Sequence, residues 1–415
     1  MISHRGVEVL ALLVTKFGGS SVASMEKIKQ ISHKIKSLQE EGNQIVVVVS
    51  AMGDTTDGLI ELAESTGSNL NNREMDMLLA TGEQQSAALL ALALQGLGCK
   101  AISLTGWQAG IASDGNHCKA KISKITTERI MQEIDSGNIV VIAGFQGLSP
   151  DRNITTLGRG GSDTTAVAIA AAIEAKRCLI YTDVDGVYTS DPRIVEKAQK
   201  LARISYEEML ELASLGAGIL QPRAVEFAML YKVDVEVLSS FNHTPGTLVT
   251  EVDNMEDHRL VSGVADDVNC AKIALFDVPD KPGVAMTLFK TLAKHGINVD
   301  MVIQSAMRNS RNDIAFTIES NDLSKAIPVV EKLVEQIGAS GMSYGDKVAK
   351  VSIVGAGMQS NTGVAADMFE ALADANINIH MISTSEIKVS CIVDEENIKT
   401  AVRVLHEKFE LDKVE

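Results

Sequence analysis

The second half of this chain contains a copy of itself. Gly283 to Ser305 align without a gap on Gly363 to Ser385, an offset of 80 positions, and ten of the 23 aligned pairs are identical: Gly283, Val284, Ala285, Phe289, Leu292, Ala293, Ile297, Asn298, Met301 and Ser305 each meet their own kind. Each copy reads as a strand, a helix opened by glycine, and a strand that begins Ile-Asn, and each runs on into a further strand and helix. That is a ferredoxin-like βαββαβ unit. One such unit leaves sheet edges open, so two copies are expected to pair edge to edge and bury them. A strand around Leu260 to Val264 precedes the first copy, and the sequence leaves open whether it is lent to the second.

The first half has a different rhythm. Apolar runs at Ile45 to Ser50, Ala101 to Leu104, Ile139 to Phe145, Cys178 to Thr182 and Val235 to Leu238 alternate with longer helical patterns such as Met75 to Leu94. Runs that are apolar throughout suit strands covered on both faces, so the alternation predicts a mostly parallel sheet sandwiched by helices, an α/β fold. Asn242 to Thr247 then forms a turn, and Glu251 to His258 is acidic enough for a linker.

Two glycine clusters mark where such a sheet meets a ligand. Lys16-Phe17-Gly18-Gly19-Ser20-Ser21-Val22 follows a short apolar run and precedes the helical spacing Met25, Ile28, Ile31, Ile35, Leu38. Glycines allow close backbone approach, a helix start offers unpaired N–H groups, and Lys16 adds a full charge; a phosphate suits all three. The lysine precedes the glycines, so this is not the P-loop spacing, and an ordinary strand-to-helix turn remains an alternative. The second cluster, Gly158-Arg159-Gly160-Gly161-Ser162-Asp163, leads into the Ala-rich helical stretch Ala166 to Ala175, with Ser162 or Asp163 near its cap. Both clusters fall after strands, at the edge where open α/β sheets bind ligands. A guanidinium such as Arg159 suits a carboxylate, and a compact ammonium such as Lys16 suits a phosphate in motion.

The chain of 415 residues is 45% apolar and carries a formal charge of −16. That length supports two or three cores. The charge argues against nucleic-acid and membrane-surface partners. Five scattered cysteines, Cys99, Cys118, Cys178, Cys270 and Cys391, form no CxxC pair and read as reduced thiols, and no segment has the pattern of a signal peptide or membrane span, so a cytoplasmic location is expected. Residues 1 to 8 form an extension without an assigned role.

The motifs resemble aspartate kinases, members of the amino-acid kinase superfamily with C-terminal tandem ACT domains. Lys16 to Ser21, Val49 to Asp57, Thr81-Gly82-Glu83, Gly158 to Asp163 and Tyr181 to Arg193 occur in that family's order. The resemblance implies a kinase domain over 1–250, a linker and strand over 251–266, and ACT domains over 267–342 and 343–415. It implies ATP-dependent phosphorylation of L-aspartate to 4-phospho-L-aspartate, with Mg²⁺ carried by ATP. Lys16 and Asp163 then serve catalysis. Ser50, Thr56, Glu83, Arg159 and Ser162 hold aspartate, Arg159 at the α-carboxylate and Glu83 at the α-ammonium. Lys16, Gly18, Gly19, Ser20, Ser21, Thr182, Asp183, Tyr188 and Arg193 meet ATP. One departure is Gly218, which stands where many relatives carry a lysine near the nucleotide.

The resemblance also makes the repeat a sensor for lysine, threonine or both. Its effector sites carry over to Asp280, Gly283, Ala285 and Gln304 in the first copy and to Met358, Asn378, Ile379 and Ser385 in the second. A homo-oligomer formed through the ACT domains is implied; whether a C-terminal subunit is also made separately from a start such as Met255 is left open. Bland readings stand beside these: Glu83 serving only a helix dipole, Asp183 and Asp185 as a plain turn, and the repeat as a dimerisation unit. Two other functions compete, a related amino-acid kinase and a catalytically silent amino-acid sensor.

Overall fold

The computed structural model describes residues 11–67, 70–215, 219–252, 260–359 and 361–413. Residues 1 to 8, Gly218, Met255 and the linker from 253 to 258 lie outside the described residues. The chain divides into two compact units. One comprises 11–187, 200–214 and 219–252, and the other 188–199, Leu215 and 260–413.

In the first unit the strands are β1 (Leu12–Phe17), β2 (Gln44–Val49), β3 (Ala101–Leu104), β4 (Ile111–Ser113), β5 (Ile122–Ile125), β6 (Ile139–Ala143), β7 (Gln146–Leu148), β8 (Ile154–Thr156), β9 (Arg177–Thr182), β10 (Arg203–Ser205), β11 (Val235–Ser239) and β12 (Thr247–Thr250). Eight of them form one sheet in the order β10-β12-β11-β9-β1-β2-β6-β3. All its pairings are parallel except β11 with β12. A smaller sheet runs β5-β4-β7-β8. The helices are α1 (Met25–Glu40), α2 (Thr55–Glu64), α3 (Asn72–Leu79), α4 (Thr81–Gly96), α5 (Glu128–Asp135), α6 (Gly161–Ala172), α7 (Tyr206–Ser214) and α8 (Pro222–Tyr231).

The apolar runs are uniform because both sheet faces are covered. Val47, Val49 and Val141 share a core with Ile28, Ile31 and Ile35 of α1 and Leu90 and Leu94 of α4. Val46, Val48, Val140 and Ile142 point the other way and are equally buried. On that side α6, apolar along most of its length, lies against β1, β2 and β9. Ser24 caps α1 by accepting the Lys27 N–H at 3.3 Å. The helical stretch expected from Met75 to Leu94 is broken at Ala80 into α3 and α4. The Ala80 carbonyl is taken by the buried Gln146 side chain, and the Thr81 hydroxyl donates to the Leu78 carbonyl.

The second unit contains β13 (Gly263–Pro279), α9 (Val284–Lys294), β14 (Val302–Gln304), β15 (Arg311–Ile318), α10 (Leu323–Ile337), β16 (Gly341–Val354), α11 (Val364–Asp374), β17 (Met381–Thr384), β18 (Lys388–Asp394) and α12 (Ile398–Lys408). Its six strands form one antiparallel sheet, β14-β15-β13-β16-β18-β17. The copies therefore do not meet edge to edge as expected; they share strands. β13 and β16 pair from Gly263 with Val354 to Phe276 with Gly341, with register shifts around Cys270. The far half of β13 joins the first copy's core, where Ile273 and Leu275 pack with Leu288, Leu292 and Phe316. Its near half joins the second, where Val264 packs with Val351, Ile353, Met368 and Leu372. The strand ahead of the first copy is thus lent to the second.

Segment 188–199 belongs to this unit although strand β9 just before it belongs to the other. Val195, Ile194 and Ala198 pack on the second copy's core. Arg403 donates to the Ile194 carbonyl, the Val264 N–H donates to Thr189 O, and the Thr189 hydroxyl lies 2.9 Å from His406 Nε2. Burial holds the His406 imidazole below its ordinary pKa.

Leu90 is fully buried between α4 and the sheet. Leu90→Ala is expected to cost about 2–5 kcal/mol. Trp107, the single tryptophan, lies in the first unit, so its fluorescence during denaturant unfolding reads that unit. An unchanged midpoint would show that this face is not close-packed.

Candidate active site

Because β1, β2, β6 and β9 are parallel, their carboxyl ends open on one edge of the sheet. Lys16 sits one residue before the end of β1, with only 8% of its surface exposed. Its ammonium lies 2.5 Å from Asp163 Oδ1, in the first turn of α6. This turn begins where the chain must come close: Gly160 has φ +69°, and a Cβ there would meet Gln221 Cγ at 1.9 Å. The N-cap is this glycine, so Ser162 and Asp163 stand inside the helix rather than at its cap.

A cavity of about 960 Å³ opens here. It is lined by Lys16, Ser50, Thr56, Glu83, Arg159, Ser162 and Asp163, so the residues singled out for catalysis and for aspartate share one space. Thr56 comes from the first turn of α2 and Glu83 from the first turn of α4. Gly82 allows α4 to press on the loop after β2, where a Cβ would fall 2.8 Å from Ala51 Cβ. Glu83 Oε1 accepts the Ala51 N–H at 3.1 Å, while Oε2 is buried without a partner. Burial lifts the carboxyl to about 7. A buried acceptor of this kind suits a cation that arrives with a ligand.

The nucleotide-side residues are less uniform. The Gly18 N–H is given to the Tyr181 carbonyl at 3.3 Å, so it is not a spare phosphate donor. What Gly18 supplies is room, since a Cβ there would lie 3.3 Å from the Lys16 ammonium. At Gly19 a Cβ would lie 3.1 Å from the Ala51 carbonyl. Ser20 is exposed, whereas Ser21 is buried with its hydroxyl 2.5 Å from that of Ser240. Thr182 donates to Asp183, and Asp185 is engaged by Lys200 and Thr244. Tyr188 and Arg193 fall in the segment assigned to the second unit, where Arg193 pairs with Asp191.

Several cavity residues carried no signal in the sequence. Lys119 and Lys121 come from the polar loop between β4 and β5, and Gln221 and Arg223 from the start of α8. Arg223 donates to the carbonyls of Leu157 and Ala120, joining two walls.

In the second unit, Gly283 and Gly363 cap α9 and α11 with φ of +95° and +103°. Asp280 Oδ1 stands 3.5 Å from the Asn312 amide, and Ala285 is in the first turn of α9. Gln304 ends the outer strand β14, and Ser385 follows the opposite outer strand β17. Met358 and Ile379 pack on the second copy's core, with Asn378 between Ile377 and Ile379.

Comparison with known proteins agrees with this architecture. The amino acid kinase family matches residues 11–239, and the ACT domain matches 277–333 and 351–409. The chain is 50% identical to the aspartate kinase Ask_LysC of Stutzerimonas stutzeri, over 97% of this chain and 98% of that one. It is 45% identical to the solved aspartate kinase from Synechocystis, with a TM-score of 0.55 over 96% of this chain and 70% of that one. Escherichia coli aspartokinase III, solved with aspartate and ADP, shares the fold at 24% identity and a TM-score of 0.81, over 96% of this chain and 99% of that one. The fold is that of an amino acid kinase carrying ACT domains. Within that class, the chain belongs to the aspartate kinases. Among the described residues, no helix is long and apolar enough to cross a membrane.

The Glu83 carboxyl makes a prediction that needs no substrate. A group whose folded pKa is raised from 4.5 to about 7 binds its proton more tightly in the folded state, so folding loses stability as pH rises through that window. Relative to wild type, Glu83→Gln should gain up to about 3 kcal/mol between pH 4.5 and 7. Denaturant unfolding across that range measures it, and a gap independent of pH would refute the burial argument.

Proposed function

We propose that the chain transfers the γ-phosphoryl group of ATP to the side-chain carboxylate of L-aspartate, giving ADP and 4-phospho-L-aspartate. The observation that carries this reading is the single cavity holding Lys16, Asp163, Glu83 and Arg159. Both reactants are anions, so the protein's task is positioning and charge neutralisation. Arg159 clamps the α-carboxylate in a bidentate pair, and Glu83 Oε2 receives the α-ammonium. Ser50, Thr56 and Ser162 add hydrogen bonds. The side-chain carboxylate is ionised at neutral pH and attacks the γ-phosphorus directly, so no general base is needed. The Pγ–O bond to the ADP oxygen breaks as the new P–O bond forms. Lys16 follows the charge on the moving phosphoryl oxygens, and Asp163 fixes the ammonium's position.

On the nucleotide side, Gly19 and Ser20 border the phosphates, and Thr182 and Asp183 meet the rest of ATP. Mg²⁺ enters on the ATP phosphates, where it neutralises their charge; it seldom sits in an all-protein cage. The ACT units sense lysine, threonine or both, through Asp280, Gly283, Ala285 and Gln304 and through Met358, Asn378, Ile379 and Ser385. The outer strands β14 and β17 leave open edges through which copies of the chain assemble. The kinase domain spans 1–250 apart from the 188–199 segment, and the ACT domains are 267–342 and 343–415, the second joined by 188–199 and the start of β13. The protein acts in the cytoplasm, in the biosynthesis of lysine, threonine and methionine.

Hydroxylamine trapping tests the reaction: L-aspartate with Mg-ATP should give a hydroxamate and L-glutamate little. Lys16→Ala should lower kcat steeply. Arg159→Lys loses bidentate geometry worth roughly 1.5–3 kcal/mol and should raise aspartate KM about 10- to 150-fold. Equal hydroxamate from glutamate, or an unchanged KM, would overturn the assignment.

Regulation has its own test at Gln304, whose repeat partner is Thr384. Inhibition requires tighter effector binding to a less active state, with coupling of about 1–3 kcal/mol. Gln304→Ala should weaken inhibition by lysine, threonine or their mixture and leave kcat without effector unchanged. Identical inhibition curves would remove Gln304 from the site.

A further inference from the structure

Beneath the cavity lies a charged group that the reaction does not use. Asp76, in α3, is fully buried and does not line the cavity. Its carboxylate accepts the Thr156 hydroxyl, the Cys118 N–H at 3.0 Å and the His117 Nδ1–H at 2.5 Å. Those donors come from two different walls. Thr156 ends β8 and runs directly into Leu157-Gly158-Arg159, while His117 and Cys118 belong to the loop between β4 and β5 that delivers Lys119.

The two walls are laid side by side. The Ala120 N–H donates to the Thr156 carbonyl, and a Cβ on Gly158 would lie 3.1 Å from the Cys118 carbonyl. Cys118 itself is held at φ +64°, a left-handed conformation that a non-glycine residue keeps only when its surroundings fix it. Asp76 binds this seam from beneath, and Arg223 closes it on the other side through the Leu157 and Ala120 carbonyls. Arg159 sits three residues beyond Thr156 with glycines on both sides, so little within its own loop fixes its direction.

We propose that Asp76 is a positioning residue for aspartate binding: by tying Thr156 to the His117–Cys118 loop, it aims the Arg159 guanidinium. The inference rests on the reading of Arg159 as the carboxylate clamp. A carboxylate buried without solvent has to be matched by donors, and here the donors come from the end of β8 and from the β4–β5 loop, the segments that lead to Arg159 and Lys119. A displacement of the seam acts first on Arg159, because Lys16 stands on β1 and Asp163 is held inside α6.

Two substitutions test this. Asp76→Asn keeps the shape but puts an amide where N–H donors converge, and Thr156→Val removes only the hydroxyl. Each should raise aspartate KM about tenfold or more with kcat and ATP KM within about threefold, since misaligned binding groups cost orders of magnitude. The decisive measurement is a double-mutant cycle with Arg159→Lys. If Asp76 acts through Arg159, the KM penalty of Asp76→Asn or Thr156→Val should shrink to within about twofold in that background. A KM unchanged in folded single variants, or a penalty that persists in full beside Arg159→Lys, overturns the proposal. If Arg159→Lys alone leaves KM unchanged, the clamp reading falls and this inference with it; if Arg159→Lys raises KM but neither other variant does, only this inference falls. Should Asp76→Asn fail to fold, Thr156→Val carries the same comparison.

Discussion

The ion pair between Lys16 and Asp163 is the constraint around which the first unit is arranged. A lysine one residue from the end of a central parallel strand, with little solvent access, has to be matched by an opposite charge. That match comes from the first turn of α6, so α6 must lie across β1. It can do so because most of the helix is small and apolar, with glycines at its start that admit neighbouring chains. The same placement brings Arg159, Ser162 and the end of β2 around one space. Chemistry and packing thus share a single geometric requirement.

Glu83 shows the opposite economy. Its position beside Ala51 is costly, because burial opposes ionisation and one oxygen has no partner. A cationic group brought by a ligand would relieve that cost. Sites prepared in this way discriminate sharply, since a guest without an ammonium leaves the carboxylate unmatched.

What the sequence made legible follows from how local each signal was. The parallel strands were visible as apolar runs, and the cavity residues lay in glycine clusters with a cation or beside a strand end. The repeat showed both sensor copies, but not that β13 and β16 serve both, because strand sharing is decided by pairing between residues some 80 positions apart. Lys119 and Arg223 were hidden for the same reason: nothing near them in the chain distinguishes a cavity lysine from a surface one. Gly18 and Ser21 were read as ligand groups, and the sequence did not show that the Gly18 N–H also donates to the Tyr181 carbonyl or that the Ser21 hydroxyl pairs with that of Ser240. The helical pattern from Met75 to Leu94 is divided at Ala80, whose carbonyl accepts the remote Gln146 side chain.

The segment from 188 to 199 has a bearing on whether the sensor half can live alone. It supplies Ile194, Val195 and Ala198 to the second copy's core, a hydrogen-bonding hydroxyl for the buried His406, and an acceptor for Arg403. A polypeptide beginning at Met255 would be born without this strap. It would expose apolar surface on the helices of its second copy and leave His406 and Arg403 seeking substitutes. Such a product would lack part of the packing and hydrogen bonding that surrounds the second copy here.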